Sequence, residues 1–409
     1  MRTLATIREV DKLLPIANAD RIEICMMKNL GWQVVVKKGE LNIGDKVVFF
    51  EIDSALPIEE RYEFLRASSY KSFKSTNNTF ECFRLKTIKL KGVISQGLVL
   101  PITSFPEIKE YKVGDDVTEI LHVQHYDEVN ERMRYAVRTG GRIMTGNFKS
   151  SFISFCPKSD QTRIQNLMDY FDKYKDVEFT AEAKYDGSSC TVYMVDKQYD
   201  KDQFGVCSRN YNLKIPNKWN DFKNSFSFDC YPNNFIKRFF KRIRIAYNVL
   251  ISDKENSKSD YINIVNKIGI EANLREFFKK THRSICIQGE MVGPGINGNR
   301  DKYTEHHLFI FDVYDVDNKT FLDAKERHNI INELNNLCEG KRKFEEVDTI
   351  KDNWKVFQDL KTLDDMLKFV DRKTLRGNPL EGVVFKSINH SPYFSFKCIN
   401  NKYLLAEKD

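Results

Sequence analysis

Short apolar stretches separated by turn signals fill the first hundred or so residues. Residues 32–37 (WQVVVK) are rich in β-branched side chains and run into a turn at Gly39. Asn42-Ile43-Gly44-Asp45 makes a second turn, and residues 46–52 (KVVFFEI) read as a buried strand. Ile88 and Leu90 then alternate with Lys89 and Lys91, the period of a half-exposed strand, and Gly92 and Gly97 bracket a turn before a strand at 98–100. About five short strands in this space predict a small β-barrel, with an OB-fold the commonest candidate and an SH3-like barrel compatible with the same pattern.

Residues 106–150 contain Gly140-Gly141, show few periodicities and read as a connector. Beyond 151, helical and strand patterns alternate. Ile164, Leu167, Met168 and Phe171 fall at helical spacing and predict a helix over 162–174. Strands are expected at 178–183 and 190–195, followed by a lysine-rich helical stretch at about 233–280 and strands at 284–289 and 308–313. A second helical insert over about 322–372 precedes closing strands at 382–386 and 393–397. The pattern predicts an α+β protein with a barrel domain at 1–105, a connector at 106–150 and a larger domain at 151–409.

The 409 residues are enough for two or three domains, and 41% hydrophobic with 30% charged residues suits a globular chain with a sizeable core. No run of eighteen apolar residues offers a membrane span, and the start, MRTLATIREVDKLL, lacks the apolar block of a secretory signal. An intracellular protein, cytoplasmic or nuclear, is expected. The nine cysteines are scattered without a CxxC pair, which argues for reduced thiols and against structural zinc. A net charge of +7 permits a polyanionic partner without establishing one.

The chemistry is concentrated in an ordered series of short signals. Lys184-Tyr185-Asp186-Gly187-Ser188-Ser189 sits in a turn between two predicted strands; alone, it reads more readily as a surface hairpin, since Asp-Gly is a standard turn pair. It is followed by Ser208-Arg209-Asn210 after a strand, then by Gly289-Glu290 opening the Gly-rich segment MVGPGINGN, and by Phe311-Asp312. Glu381-Gly382-Val383-Val384-Phe385-Lys386 and Ser395-Phe396-Lys397 close the set.

This order resembles the collinear motifs of the covalent nucleotidyltransferases, which comprise DNA ligases, RNA ligases and mRNA capping enzymes, over roughly residues 160–404. Ser189 stands where DNA ligases usually carry Arg. Thr162-Arg163-Ile164-Gln165-Asn166, the SRN triplet and the ending SFKCINNKYLL look like the Deinococcus/Naegleria type of ATP-dependent RNA ligase. That branch places its OB domain before the nucleotidyltransferase domain, as the reading of the first hundred residues suggests independently. The resemblance implies an ATP-grasp-like ligase domain of antiparallel sheets flanked by helices.

It also implies a reaction, in which ATP is attacked by Lys184 and AMP passes from the lysine to an RNA 5′-phosphate. A 3′-OH then displaces the AMP, with nicks in duplexes as the expected substrate. An amine attacks only when neutral, so Lys184 needs a lowered pKa, through burial or a nearby cation. Asp186, Glu290 and Glu381 would hold Mg²⁺ or Mn²⁺, partly through waters. Phe311 would stack on adenine, and Glu182 would read the adenine or ribose edge. Arg209 and Asn210 would contact ribose or phosphate, Lys386 and Lys397 the α-phosphate, and Arg163 the departing pyrophosphate. The ordinary readings are core packing for Phe311 and an exposed helix face for Arg163. Ser395 departs from the two-lysine form of the last motif, and Lys402 is a candidate replacement.

Two basic features are candidate RNA surfaces: Lys237, Arg238, Lys241 and Arg242 on one helix face with Phe239 and Phe240 opposite, and Arg84, Lys86, Lys89 and Lys91 with Phe83 on the barrel. A solvated charged face is the plain alternative for each. The rival functions are a GTP-using capping enzyme, which normally carries a C-terminal OB domain, a DNA ligase, and an inert RNA-binding protein on a ligase scaffold. A monomer is expected.

Overall fold

The structure, a computed structural model, describes residues 3–74, 79–126, 148–215, 243, 259–337 and 343–406. The long strand Ala5–Ile16 organises the N-terminal unit. Its first half pairs antiparallel with Lys46–Phe50 and its second half with Ala19–Met27, so one strand serves two sheet directions. The resulting sheet runs Leu98–Pro101, Lys46–Phe50, Ala5–Ile16, Ala19–Met27, Gln33–Lys37. A second sheet runs Gln124–His125, Ser54–Leu56, Thr79–Arg84, Tyr70–Lys74, and Thr87–Leu90 with Val93–Gln96 forms a separate two-stranded ribbon.

The apolar run at 46–50 is buried on both faces. Val47 and Phe49 join a core with Val10, Trp32 and Val34. Val48 and Phe50 join another with Ile7, Leu56, Tyr62 and Phe105. Residues 106–126, expected to begin a connector, belong to this unit. Ile108, Val117, Leu121 and Val123 complete the second core, and Gln124–His125 pairs with Ser54–Ala55. Their apolar side chains are too widely spaced for a periodic signal, and tertiary packing alone reveals them. Phe83 and Arg84 are also corrected. Phe83 is fully buried, and Arg84 is buried against the Tyr126 ring at 4.2 Å, so neither presents itself to a ligand.

The second unit is built of two facing sheets. The larger runs Phe148–Ser151, Tyr211–Leu213, Phe204–Ser208, Ser188–Met194, Ile285–Val292, His307–Asp315, Thr320–Phe321, with Glu345–Glu346 parallel to His307–Asp315. The helices Asp260–Ile268, Ile270–Thr281 and Ala324–Asn336 cover its outer face. Cys190, Val192, Ile285 and Ile287 meet Ile264, Leu274 and Leu334 there. The smaller sheet runs Thr162–Arg163, Ser395–Ile399, Gly382–Ser387, Phe179–Lys184, Thr349–Trp354. Its back is an apolar layer in which Phe179, Ala181, Ala183, Val383 and Phe385 pack on Phe357 and Met366. Strand alternation sends Glu182, Lys184, Val384 and Lys386 to the opposite face, into the cleft between the sheets.

One helical expectation fails here, and a second is met only in part, by the helices Ala324–Asn336, Val356–Asp359 and Leu363–Phe369. Residues 162–174 form a two-residue strand, a 3-10 turn at Ile164–Asn166 and one helical turn at Tyr170–Lys173. The Ile164/Leu167/Phe171 spacing comes from packing a turn against the small sheet, with Ile164 fully buried. The expected insert at 322–372 includes an edge strand, Thr349–Trp354, beside the lysine-bearing strand. The basic stretch around Lys237, Arg238, Lys241 and Arg242 lies outside the described residues.

The units are tied together at the segment following Thr162. Asn166 accepts from Trp32 Nε1 at 2.5 Å and donates to Glu51 at 2.6 Å, and Gly31 N donates to the Gln165 carbonyl at 2.7 Å. Ile399, Tyr403 and Leu404 from the chain's end enter the first barrel core. No helix among the described residues is long and apolar enough to cross a membrane.

Candidate active site

Lys184 ends its strand opposite Gly382, and its Nζ lies 2.8 Å from Glu381 Oε1. Asp186 follows in the turn, held by Arg300 Nε at 3.4 Å, by Asn297 Nδ2 at 3.3 Å and by the Tyr403 hydroxyl. Glu290 comes from the other sheet, in register with Ser189, and faces the same space. Four of the five groups expected to carry the chemistry, Lys184, Asp186, Glu290 and Glu381, thus converge from three separate parts of the chain, and the fifth, Lys397, lies on the strand paired with Arg163.

Their closeness is a matter of backbone approach. Gly187 has an ordinary φ, yet a Cβ there would fall on the Met291 carbonyl oxygen and come within 2.8 Å of Glu290 Cγ. Gly382 is equally confined, since a Cβ would fall on the Cys398 carbonyl oxygen. Both motif glycines are therefore demanded by contact between strands, not by a left-handed turn.

The electrostatics correct one expectation. Burial pulls the Lys184 ammonium down, but Glu381, Glu290 and Asp186 together outweigh it and its pKa is raised. Burial alone therefore does not free the amine. The carboxylates show the complementary stress: burial and the charge of Glu381 push Asp186 up to about 6, and burial pushes Glu290 up to about 7 despite Lys184. Among the described residues no three His, Cys, Asp or Glu side chains are gathered as a direct metal cage.

A second group lies along the same cleft. Lys386 Nζ is 2.8 Å from Glu182 Oε2 and 2.8 Å from Asp312 Oδ1, and it also donates to the Phe311 carbonyl. Arg327 adds contacts to Glu182 at 2.7 Å and Glu346 at 2.8 Å. Lys386 and Glu182, expected to touch nucleotide, are thus fully engaged with protein in this state. Phe311 occupies a register shift between the Gln288/Asp312 and Gly289/Ile310 pairs, a bulge of the kind that re-aims a side chain. Its ring lies under the Lys386 ammonium at 5.8 Å.

Arg163 is 7% exposed and lies in register with Lys397 on paired parallel strands. It is not on a helix face; its Nη2 donates to Asp53 of the barrel at 2.9 Å. Arg209 and Asn210 form the turn between two strands of the large sheet, where Arg209 pairs with Asp160 at 3.1 Å and Asn210 accepts from Lys158 at 2.8 Å. Arg209 still lies close enough to Glu290 to favour its charged form. Lys402, the candidate replacement for a second lysine, pairs with Asp371 at 2.6 Å. Sequence reasoning missed Asp53, Arg300, Arg327 and Tyr403. Arg300 directly follows the Gly-rich segment and Tyr403 lies in the closing motif, so both carried a local signal; Asp53 and Arg327 carried none.

Comparison with known proteins agrees with this geometry. A family model described as an OB-fold domain matches residues 4–102, and one described as RNA ligase matches residues 177–399. Among solved structures, a Naegleria gruberi RNA ligase mutant with ATP and Mn is 30% identical with a TM-score of 0.73, covering 100% of both chains. A mutant of the same ligase with AMP and Mn is 29% identical at a TM-score of 0.72, covering 98% of each chain. The same ligase with PPi is 30% identical at 0.69, covering 99% of this chain and 98% of that one. No curated protein matches the chain in sequence.

Proposed function

The chain belongs to the RNA ligase family, and from that premise we propose that it joins RNA 3′-OH and 5′-phosphate ends, with nicks in duplexes as substrate, using ATP. The observation that carries the reading is the convergence of Lys184 with Glu381, Asp186 and Glu290 in one cleft. An inert scaffold has no need to keep a partly buried lysine against three carboxylates, since their desolvation is costly. The Naegleria structures with ATP, AMP and PPi support adenylate transfer with pyrophosphate release.

In the first step the Lys184 amine attacks the α-phosphorus of ATP. A P–N bond forms, the bond to the bridging oxygen breaks, and pyrophosphate leaves. An oxygen of the RNA 5′-phosphate next attacks that phosphorus and the lysine departs as the amine. Finally the 3′-hydroxyl attacks the 5′-phosphorus, AMP leaves, and a phosphodiester remains. Arg163 and Lys397, side by side on paired strands, are suited to the triphosphate, and Phe311 with Glu182 to the base. For the nucleotide to take them up, it must share or replace the contacts Arg163 and Glu182 now make.

The donor set fits a divalent ion held through waters. Asp186 and Glu290 are lifted by burial and by neighbouring carboxylates, an excess of negative charge around one ammonium that a cation offsets. Asp186, Glu290 and Glu381 would hold it, and it would supply charge neutralisation that favours the neutral amine and the α-phosphate.

The test is incubation with α-labelled ATP or GTP and Mg²⁺ or Mn²⁺, followed by denaturing electrophoresis. Label from ATP that is absent in Lys184→Ala supports the reading, and nicked RNA duplexes are then the substrate to try. Label from GTP alone points instead to a capping activity, and no label with either metal to an RNA-binding protein.

A further inference from the structure

The two-stranded ribbon of the barrel stands out as a surface that nothing in the catalytic cleft explains. Its turn is Lys91-Gly92, both with positive φ (47° and 86°), the tight turn whose twist matches a β-hairpin. The inner strand is anchored to the barrel: Gln33 Nε2 donates to the Ile94 carbonyl at 2.6 Å, and Val35 N donates to Ser95 Oγ at 2.9 Å. The outer strand exposes Ile88 at 45% and Leu90 at 37%, with Lys89 between them and Lys91 at the tip, both exposed. Ile88 and Leu90, two positions apart on one strand, share a face and form an exposed apolar pair.

The charge has one sign. Residues 82–106 hold Arg84, Lys86, Lys89 and Lys91 and no Asp or Glu; Arg84 is buried and Lys86 half-buried, which leaves Lys89 and Lys91 exposed. Among the described residues neither Lys89 nor Lys91 is in an ion pair. Position completes the case. At its base Gln96 donates to Asn401 at 3.2 Å, on the short helix Asn401–Leu405. The helix and its N-cap also reach the cleft: Asn400 N donates to the backbone carbonyl of Glu381 at 2.9 Å, and the Tyr403 hydroxyl donates to the Asp186 carboxylate. One short helix therefore separates the ribbon from the nucleophile's surroundings.

We infer that this ribbon docks the RNA duplex flanking the junction, with Lys89 and Lys91 on its phosphates and Ile88 and Leu90 against the sugar edges of its shallow minor groove. The inference rests on the RNA-joining reading above. A duplex is favoured over a single strand because residues 86–97 contain no aromatic side chain on which an unpaired base could stack. The lysines supply the polyanion term, and the aliphatic pair supplies contact with the sugars.

The experiment compares wild type, Lys89→Ala/Lys91→Ala and Ile88→Ser/Leu90→Ser in binding a nicked RNA duplex over a series of salt concentrations. Self-adenylylation with labelled ATP reports that each variant is folded. The lysine variant is expected to label like wild type and bind the duplex about 10-fold more weakly. Its log–log salt slope should be shallower by roughly one to two, since each phosphate contact contributes about 0.7–0.9. The aliphatic variant is expected to bind more weakly with the slope unchanged. A lysine variant that binds with wild-type affinity and slope overturns the inference and leaves the exposed aliphatics to a protein partner. Equal losses on single-stranded RNA overturn the duplex assignment. A wild-type protein that neither labels nor binds RNA overturns this inference together with the reading beneath it, and does so in the wild-type sample.

Discussion

Arg163 and Asp53 form an ion pair at 2.9 Å across the boundary between barrel and ligase domain, with side chains only 7% and 18% exposed. Asp53 holds a left-handed φ of 69°, fixed by hydrogen bonds from its N–H to the Leu85 carbonyl and from Tyr126 N–H to its own carbonyl. Arg163 is in turn paired through its strand with Lys397. The Asp53 carboxylate thus ties the barrel to the strand pair that bears Arg163 and Lys397. Asp53→Ala leaves a buried guanidinium uncompensated and should cost about 3 kcal/mol in denaturant unfolding, with slower self-adenylylation. Arg163→Ala combined with Asp53→Ala should show a coupling of about 1–3 kcal/mol. Additive losses would show that the pair does not join the units.

The Lys184–Glu381 contact at 2.8 Å gives a second prediction. Glu381→Gln keeps the shape and removes one of the charges around the ammonium. If Glu381 also helps hold the divalent ion, the initial rate of lysine labelling should fall by about 10²-fold or more, a typical loss for removing one electrostatic group from an active site. The Mn²⁺ concentration for half-maximal labelling should rise. Chelation should abolish labelling in wild type, and added Mn²⁺ should restore it. A variant with an unchanged metal requirement would place the ion elsewhere.

Gly187 provides a test that leaves every charged group in place. A Cβ there cannot be accommodated by rotating a flexible side chain, because the nearest obstacle is the Met291 carbonyl oxygen. Gly187→Ala must push the Lys184 turn away from the strand bearing Glu290. The expected result is a folded protein whose lysine labelling falls at least about 10-fold, since displacements on the order of 1 Å are enough to do this. Labelling at the wild-type rate would mean that the turn's position does not govern the reaction.

What the sequence revealed follows from how local each cause is. Lys184, Asp186 and Gly187 sit in one turn, the strand at 46–50 announces itself by dense β-branched and aromatic residues, and that at 98–101 by a short apolar run directly after Gly97. Ala5–Ile16 was not legible, because a strand that splits its pairing between two neighbours has the mixed burial seen there. Residues 162–174 misled because a turn packed on a sheet and a short helix bury the same spacing of apolar residues. Asp53 was invisible for a different reason: its role depends on Arg163, 110 positions away. The raised pKa of Lys184 had to await the structure as well, since its sign is set by how closely three carboxylates approach.

Glu182, Lys386, Asp312 and Arg327 make the last prediction, one of opposing pH dependences. Burial acts to raise Glu182, but Lys386 and Arg327 outweigh it and its pKa is lowered; for Asp312 burial prevails over Lys386 and the pKa is raised. Glu182 therefore contributes stability that is present above the ordinary glutamate range and is lost as pH falls through its lowered folded value. Asp312 works the other way: its favourable contribution is present below the ordinary aspartate range and is lost as pH rises through its raised folded value. Glu182→Gln should lose about 3 kcal/mol at neutral pH, because two buried cations are left under-compensated, and its loss of stability on acidification should be shallower than in wild type. Asp312→Asn, which removes a carboxylate that burial disfavours, should cost clearly less at the same pH. Urea unfolding of both variants from pH 7 down to about pH 2.5 reads this directly. Equal losses with parallel pH profiles would show that the two carboxylates share their cations evenly, against the asymmetry that Arg327 imposes by lying 2.7 Å from Glu182.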